Sequence, residues 1–400
     1  MDADRRAAPL GDAEVAYGIL IGEDPAADPI VERIPPVDPV TAMEVVLRRA
    51  LEKSPCLVSF SGGRDSSGML ALATRVARRD GHALPIPATL LFPGSSEAHE
   101  DEWQSDVLRH LQLDDWVRIS IEGDELDAVG PVATPLLRRH GLLWPFNTHF
   151  HAPIIERASG GAVVTGFGGD EVALSSSTAR AEMALAGSVR RRPSDVLAVG
   201  LACAPQPVRA LVHRRRARSM LEGLPWLTPA GREEIACRIG DESASVPLGW
   251  SRVLRRCISI RRYFRVCAHS FSLVGEQCGV EVVHPFVEHG VLDALAARGG
   301  FAGLGDRSAI VQQLFGDLLP ERTVHRPTKA SFTDPLWTET ARHFAAAWSG
   351  GGVSRELVDI DALRRHWLGG RVDVRSTPLL QAAWLHDNRA AAAAIDVDVA

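Results

Sequence analysis

The chain has 400 residues, 46% of them hydrophobic and 24% charged, with a formal net charge of −6. Those fractions suit a folded globular protein with room for two or three structural units. The acidic balance speaks against a dedicated nucleic-acid binder, and six scattered cysteines without a CxxC pair speak against a zinc ribbon or iron–sulfur site. With no signal-peptide pattern and no apolar run of about 18 residues, the expectation is a cytoplasmic protein with reduced thiols and no membrane span.

Residues 1–40 are rich in Pro, Asp and Ala and read as an extended lead-in, with one short strand over Ala16–Ile21. Helical spacing of Val45, Val46 and Leu51 predicts a helix over 41–53. A regular alternation follows. Cys56–Phe60 is a buried strand, Ser61–Ser67 (SGGRDSS) a Gly-rich turn, and 67–79 an amphipathic helix ending in Arg78 and Arg79. Ala88–Phe92 is a second strand, 100–111 a second helix, Trp116–Ile121 a third strand and 124–140 a further helix. Ala162–Thr165 is a fourth strand, running into Gly166–Glu171 (GFGGDE). Apolar strands alternating with helices imply an α/β fold with a parallel sheet covered on both faces. Ligands in such sheets sit beyond the carboxyl ends of the strands, where both Gly-rich turns fall.

Beyond residue 180 the pattern is helical, as in Ile360, Leu363 and Trp367, and is interrupted by Pro205, Pro207, Pro225, Pro229 and Pro247. The division expected is a lead-in over 1–40, a nucleotide-binding α/β core over 41–180, a mainly helical region over 181–390 and a frayed tail over 391–400. The Arg runs at 190–192 and 214–218 read as solvated helix faces.

The chemistry concentrates in SGGRDSS. Gly62 and Gly63 let the backbone approach an anion closely, and the following helix N-terminus offers free N–H groups and partial positive charge. Ser61, Ser66 and Ser67 add hydroxyls, completing a phosphate cradle. Asp65 by itself repels phosphate, so its place there fits a carboxylate that holds Mg²⁺. Only two lysines, Lys53 and Lys329, stand among 44 basic residues, so a lysine at a special position is less casual here than in an ordinary chain.

SGGRDSS after a strand resembles the PP-loop of the ATP pyrophosphatases. GFGGDE resembles a GEGGDE-type motif of the asparagine synthetase C-terminal domain. HPFVEHGVLDAL (284–295) and LPERTVHRPTKASFTDP (319–335) are similar to two further segments of that domain, in the same order. The resemblance implies an ATP-dependent, AMP-forming amide synthetase that adenylates a carboxylate and joins it to an amine or ammonia. It implies that Ser61, Gly62, Gly63, Ser66 and Ser67 bind the pyrophosphate of ATP, with Gly168 and Gly169 in the facing turn. Asp65 and Asp170 would ligate Mg²⁺. Lys329 would stabilise charge at the α-phosphate, and Leu91, Phe92 and Gly166 would meet adenine or ribose.

Three departures matter. About 50 residues precede the PP-loop, too few for a glutaminase domain, so nitrogen is expected from ammonia, a separate partner protein or a substrate amine. Phe167 stands where asparagine synthetases carry Glu and β-lactam synthetases carry Tyr, which removes an acid–base group. Glu288 replaces Asp in the PFLD-type segment. These changes favour a specialised amide ligase of natural-product or peptide metabolism, such as a lasso-peptide macrolactam synthetase. The alternatives are another PP-loop enzyme such as a tRNA-modifying one, and a non-catalytic relative that binds nucleotide or peptide. Weaker candidates are Arg64 and Arg326 for an anion, and His149 and His151, spaced i, i+2 with no third metal ligand in view.

Overall fold

A computed structural model describes residues 6–32, 36–93, 101–173, 178–326 and 333–398. Its centre is a five-stranded, fully parallel sheet: β1 (Cys56–Ser59), β2 (Ile86–Leu91), β3 (Val117–Ser120), β4 (Ala162–Val164) and β5 (Glu281–Val283), in the order β3-β2-β1-β4-β5. The chain therefore winds outward from β1 through β2 to β3, then returns to place β4 on the other side of β1. The direction of winding reverses between β1 and β4, and such a switch point opens a crevice at the carboxyl ends of the strands.

Side-chain alternation assigns the two faces. Cys56, Val58, Ala162 and Val164 join a core with Met69, Leu70 and Val76, whereas Leu57 and Val163 join a core with Ile154, Ile155, Trp226 and Trp367. The helices are α1 (Asp12–Tyr17), α2 (Pro39–Leu51), α3 (Arg64–Asp80), α4 (Asp101–Leu111), α5 (Ala133–His140), α6 (Ala152–Arg157) and α7 (Gly169–Ala173) up to the second Gly-rich turn, followed by a long helical stretch. α2 and α3 cover the first face and α6 the second. α3 ends at Gly81, whose φ of 76° supplies the left-handed cap that helix ends favour. Met69, Leu70, Leu72 and Val76 are fully buried along it, each worth about 1.5–3 kcal/mol of transfer free energy.

The helices beyond residue 180 pack over both faces of the sheet. Trp226, Trp348, Trp367 and Leu380 lie on the Leu57 side; Phe264, Leu292 and Phe315 lie on the Val58 side. No helix among the described residues is long and apolar enough to cross a membrane.

Three local expectations are corrected. No strand forms over Ala16–Ile21: Ala16 and Tyr17 end the helix α1, which Glu14 caps by accepting the Gly11 N–H at 2.8 Å and Gly18 ends at φ 69°, and the chain then turns without regular structure to Ile21. The helix's apolar residues Ala13, Val15, Ala16 and Tyr17 are buried all round, without the period of two a strand requires. The helix over 124–140 begins only at Ala133, because Gly130-Pro131 breaks it and Asp124–Gly130 closes into turns. A fifth strand, β5, lies within the region read as helical; three residues are too short to show a period. The Ala-rich end is helical to Asp398, in keeping with alanine's helix propensity.

Candidate active site

Both Gly-rich turns leave the carboxyl ends of adjacent strands, β1 and β4, at the switch point. The first turn is shaped from within. Ser66 Oγ donates to the Gly63 carbonyl at 3.1 Å and lies 3.2 Å from Ser61 Oγ, and Gly63 N–H donates to Ser61 Oγ at 3.3 Å. Gly62 takes φ 79°, a conformation L side chains resist. Helix α3 starts directly at Arg64, so its first N–H groups face the crevice.

The second turn closes against the first through missing side chains. A Cβ on Gly166 would lie 2.8 Å from the Ser66 nitrogen, and one on Gly169 would lie 2.5 Å from Asp65 Cγ. Gly168, at φ 94°, leaves room for Val287 of the HPFVEH segment. These contacts bring Asp65 and Asp170 together from the two turns, and the guanidinium of Arg307 spans both carboxylates. A pair of hard oxygen donors that close fits a Mg²⁺ ion, which prefers carboxylates plus phosphate oxygens and water.

Arg307 opens the helix Arg307–Phe315, with Asp306 as its N-cap. It belongs to a cationic group at this end of the crevice. Arg64 Nη1 donates to Ser308 Oγ at 3.0 Å, and Arg326, buried, donates to the Gly62 carbonyl at 2.9 Å. Burial first, and then the neighbouring Arg307, lowers the Arg64 pKa. Cations that crowd each other in this way would be relieved by an anion between them. The sequence carried no sign of Arg307, because in so arginine-rich a chain no single arginine stands out.

The cleft has a volume of about 330 Å³ and holds Ser61, Gly63, Asp65, Ser66, Gly166, Gly168 and Asp170 on its walls. Three other expected residues lie behind it. Ser67 is fully buried, Gly62 contributes its carbonyl to Arg326, and Gly169 packs on Asp65. Lys329 lies outside the described residues. An adjoining cavity of about 150 Å³ runs along β2 and is lined by Ala88, Leu90, Phe92 and Phe150, with Gln104 at its polar side. Phe92 is thus at a cavity wall, whereas Leu91 ends β2 paired to Ser120 and is absent from that wall.

A second group of residues at the cleft is aromatic. Phe167 lies 6.0 Å from Phe271, 5.3 Å from His284 and 5.8 Å from both Tyr263 and Phe264, centroid to centroid. His151 stands edge-on to Phe271 at 4.8 Å and lines both cavities. Burial lowers the pKa of His151 to about 4 and of His284 to about 3, so both are neutral near pH 7. His284 Nδ1 lies 2.6 Å from Thr165 Oγ1, which also accepts the Phe167 N–H at 3.2 Å. Glu171 accepts the Tyr263 hydroxyl at 3.0 Å. His149 faces away and meets the Leu126 carbonyl at 3.0 Å; among the described residues no three His, Cys, Asp or Glu side chains gather as a metal cluster.

A hydroxyl-bearing Gly loop on a helix start, three arginines and two converging carboxylates suit a metal-bound polyphosphate. No curated protein matches the sequence. The family model described as asparagine synthase matches residues 43–386, which include both turns, the arginine group and the aromatic wall. The chain therefore belongs to the asparagine synthase family of ATP-dependent carbon–nitrogen ligases that release AMP.

Proposed function

We propose that this protein is an amide ligase of natural-product or peptide metabolism, which adenylates a carboxylic acid and passes the acyl group to an amine or ammonia. The observation that carries this reading is the meeting of Asp65 and Asp170 beneath the Gly-rich loop, with Arg64, Arg307 and Arg326 around them. Ser61, Gly63, Ser66 and the start of α3 would hold the β- and γ-phosphates, with the backbone of Gly62 locked in place by Arg326. The cavity along β2, with Phe92 and the approach at Gly166, would take adenosine.

The substrate carboxylate attacks the α-phosphorus, the bond to the bridging oxygen breaks, and pyrophosphate departs into the arginine group. Asp65 and Asp170 would hold Mg²⁺, which would supply neutralisation of the leaving charge. Lys329 would stabilise the charge that develops at the α-phosphate. The amine then attacks the acyl carbon, AMP leaves, and the amine's proton is lost. Phe167 takes no part in that proton transfer, so the proton passes to the phosphate, to solvent or to another group of the site.

Purified protein with Mg·ATP and labelled pyrophosphate tests the reading. Acid-dependent ATP–pyrophosphate exchange that disappears in Asp65→Asn supports it. Absence of exchange with every acid tried, together with no binding of ATP, refutes it. ATP binding without exchange favours the non-catalytic alternative that Phe167 suggests.

A further inference from the structure

We infer that the acid this enzyme activates carries an apolar, ring-sized group beside its carboxylate and no second charge, and that this group lies against Phe167 and Phe271. The inference rests on the adenylation reading above and narrows its substrate.

The two ends of the cleft differ in kind. Arg64, Asp65, Asp170, Arg307 and Arg326 stand at the phosphate end. The rest of the lining includes, among the described residues, Pro145, Asn147, His151, Thr165, Phe167 and Phe271, together with Glu171. None of the six carries a charge near neutral pH, since burial keeps His151 in its neutral form. An amino acid such as aspartate brings an ammonium and a second carboxylate into the acyl site. Each needs an opposite charge once water is excluded. Among the described residues Glu171 is the one carboxylate on this wall, where it accepts the Tyr263 hydroxyl, and no described basic side chain lines the wall to receive a second carboxylate.

The aromatic wall is also braced. Phe271 is 2% exposed and packs on His151, Phe167 and His284 at 4.8, 6.0 and 4.9 Å. His284 is fixed in turn by Thr165, which also fixes the Phe167 backbone. A rigid ring face presented to a cavity favours an apolar or aromatic partner stacked or edge-on. Asn147 is the neutral polar group that would orient such a partner by hydrogen bonding.

Two stable adenylate mimics decide the matter by calorimetry: 5′-O-(N-phenylacetylsulfamoyl)adenosine and its aspartyl counterpart, with ATP as the reference ligand. We expect the phenylacetyl compound to bind at least about tenfold more tightly than the aspartyl one. Phe167→Leu should shrink that preference at least threefold while ATP binding stays unchanged. Equal affinities, or tighter binding of the aspartyl compound, overturn the inference and leave the adenylation reading standing. Binding of ATP but of neither conjugate also overturns the inference alone. Failure of all three ligands to bind overturns the adenylation reading and, with it, this narrowing.

Discussion

Gly169 lies directly against the carboxyl group of Asp65, so close that a methyl on its Cα would sit 2.5 Å from Asp65 Cγ. The contact joins the two Gly-rich turns and sets where the Asp65 oxygens point. Gly169→Ala must push Asp65 aside. We expect a stability loss of about 1–3 kcal/mol from overpacking and a fall in exchange activity of about 10²-fold from misplacing a metal ligand. Steady-state exchange against Mg²⁺ concentration reads the second effect, which should include a raised Mg²⁺ requirement. Wild-type metal dependence in the alanine variant would show that the contact does not position Asp65.

Arg307 holds Asp65 and Asp170 at once, so its removal takes away a cation that two like charges share. Arg307→Ala should lower stability in metal-free buffer. Added Mg²⁺ without nucleotide should then raise its melting temperature by several degrees and leave the wild type nearly unchanged. Loss of a cation from the phosphate end should also cut kcat/KM for ATP by about 10²-fold. Thermal shift with and without Mg²⁺ separates these effects; a Mg²⁺ response equal to wild type would argue that the two carboxylates do not form a metal site.

Acid should destabilise the fold through its buried histidines. His149 and His284 have folded pKa values lowered by burial to about 4 and 3, below the 6.5 of an unfolded imidazole. Between those limits the unfolded chain binds protons that the folded chain does not. Stability is therefore fully present above pH 6.5 and is lost as pH falls toward 4. One such group contributes on the order of 2 kcal/mol of loss between pH 7 and pH 5. Urea unfolding of His284→Asn should show a correspondingly flatter pH dependence than wild type. An unchanged dependence would mean that His284 is already charged or exposed in the folded protein.

The parts of this molecule readable from sequence are those with a repeating or covalent signature. β1 and the turn after it combine an apolar run with Ser61-Gly62-Gly63, and glycine at φ 79° is a backbone requirement that only residue type can meet. β5 and the aromatic wall left no such mark. Phe167, Phe271 and His284 are more than 100 residues apart at the extremes, and they meet only because β4 and β5 pair in parallel. Arg307 is similar: its role comes from where its helix starts, a tertiary fact. α1 was misread because a short run of small and apolar residues is compatible with either element until Glu14 and Gly18 cap it.

Asp127 anchors the chain on the far side of the segment that contains Lys329. It is fully buried, and its Oδ2 accepts the Thr338 N–H at 2.8 Å, the Thr338 hydroxyl at 2.7 Å and the Ala341 N–H at 3.2 Å, while Oδ1 takes the Val129 N–H at 3.0 Å. On the near side, Arg326 is tied to the Gly62 carbonyl of the Gly-rich loop. Arg326 and Thr338 are thus both held, the first against the Gly-rich loop. Asp127→Asn places an amide NH₂ against backbone donors in either orientation, so at least one buried group loses its partner, at a cost of about 1–3 kcal/mol. On the role proposed for Lys329, a loosened anchor should affect charge stabilisation more than nucleotide binding. We expect kcat for exchange to fall about tenfold or more, with KM for ATP within about threefold of wild type. The loss in Thr338→Val, which removes the hydroxyl's bond to Asp127 and its capping bond from the Thr340 N–H but keeps the Thr338 N–H on Asp127, should be smaller. Equal kcat in Asp127→Asn and wild type, with the stability loss present, would show that this anchor serves the fold and not the position of Lys329.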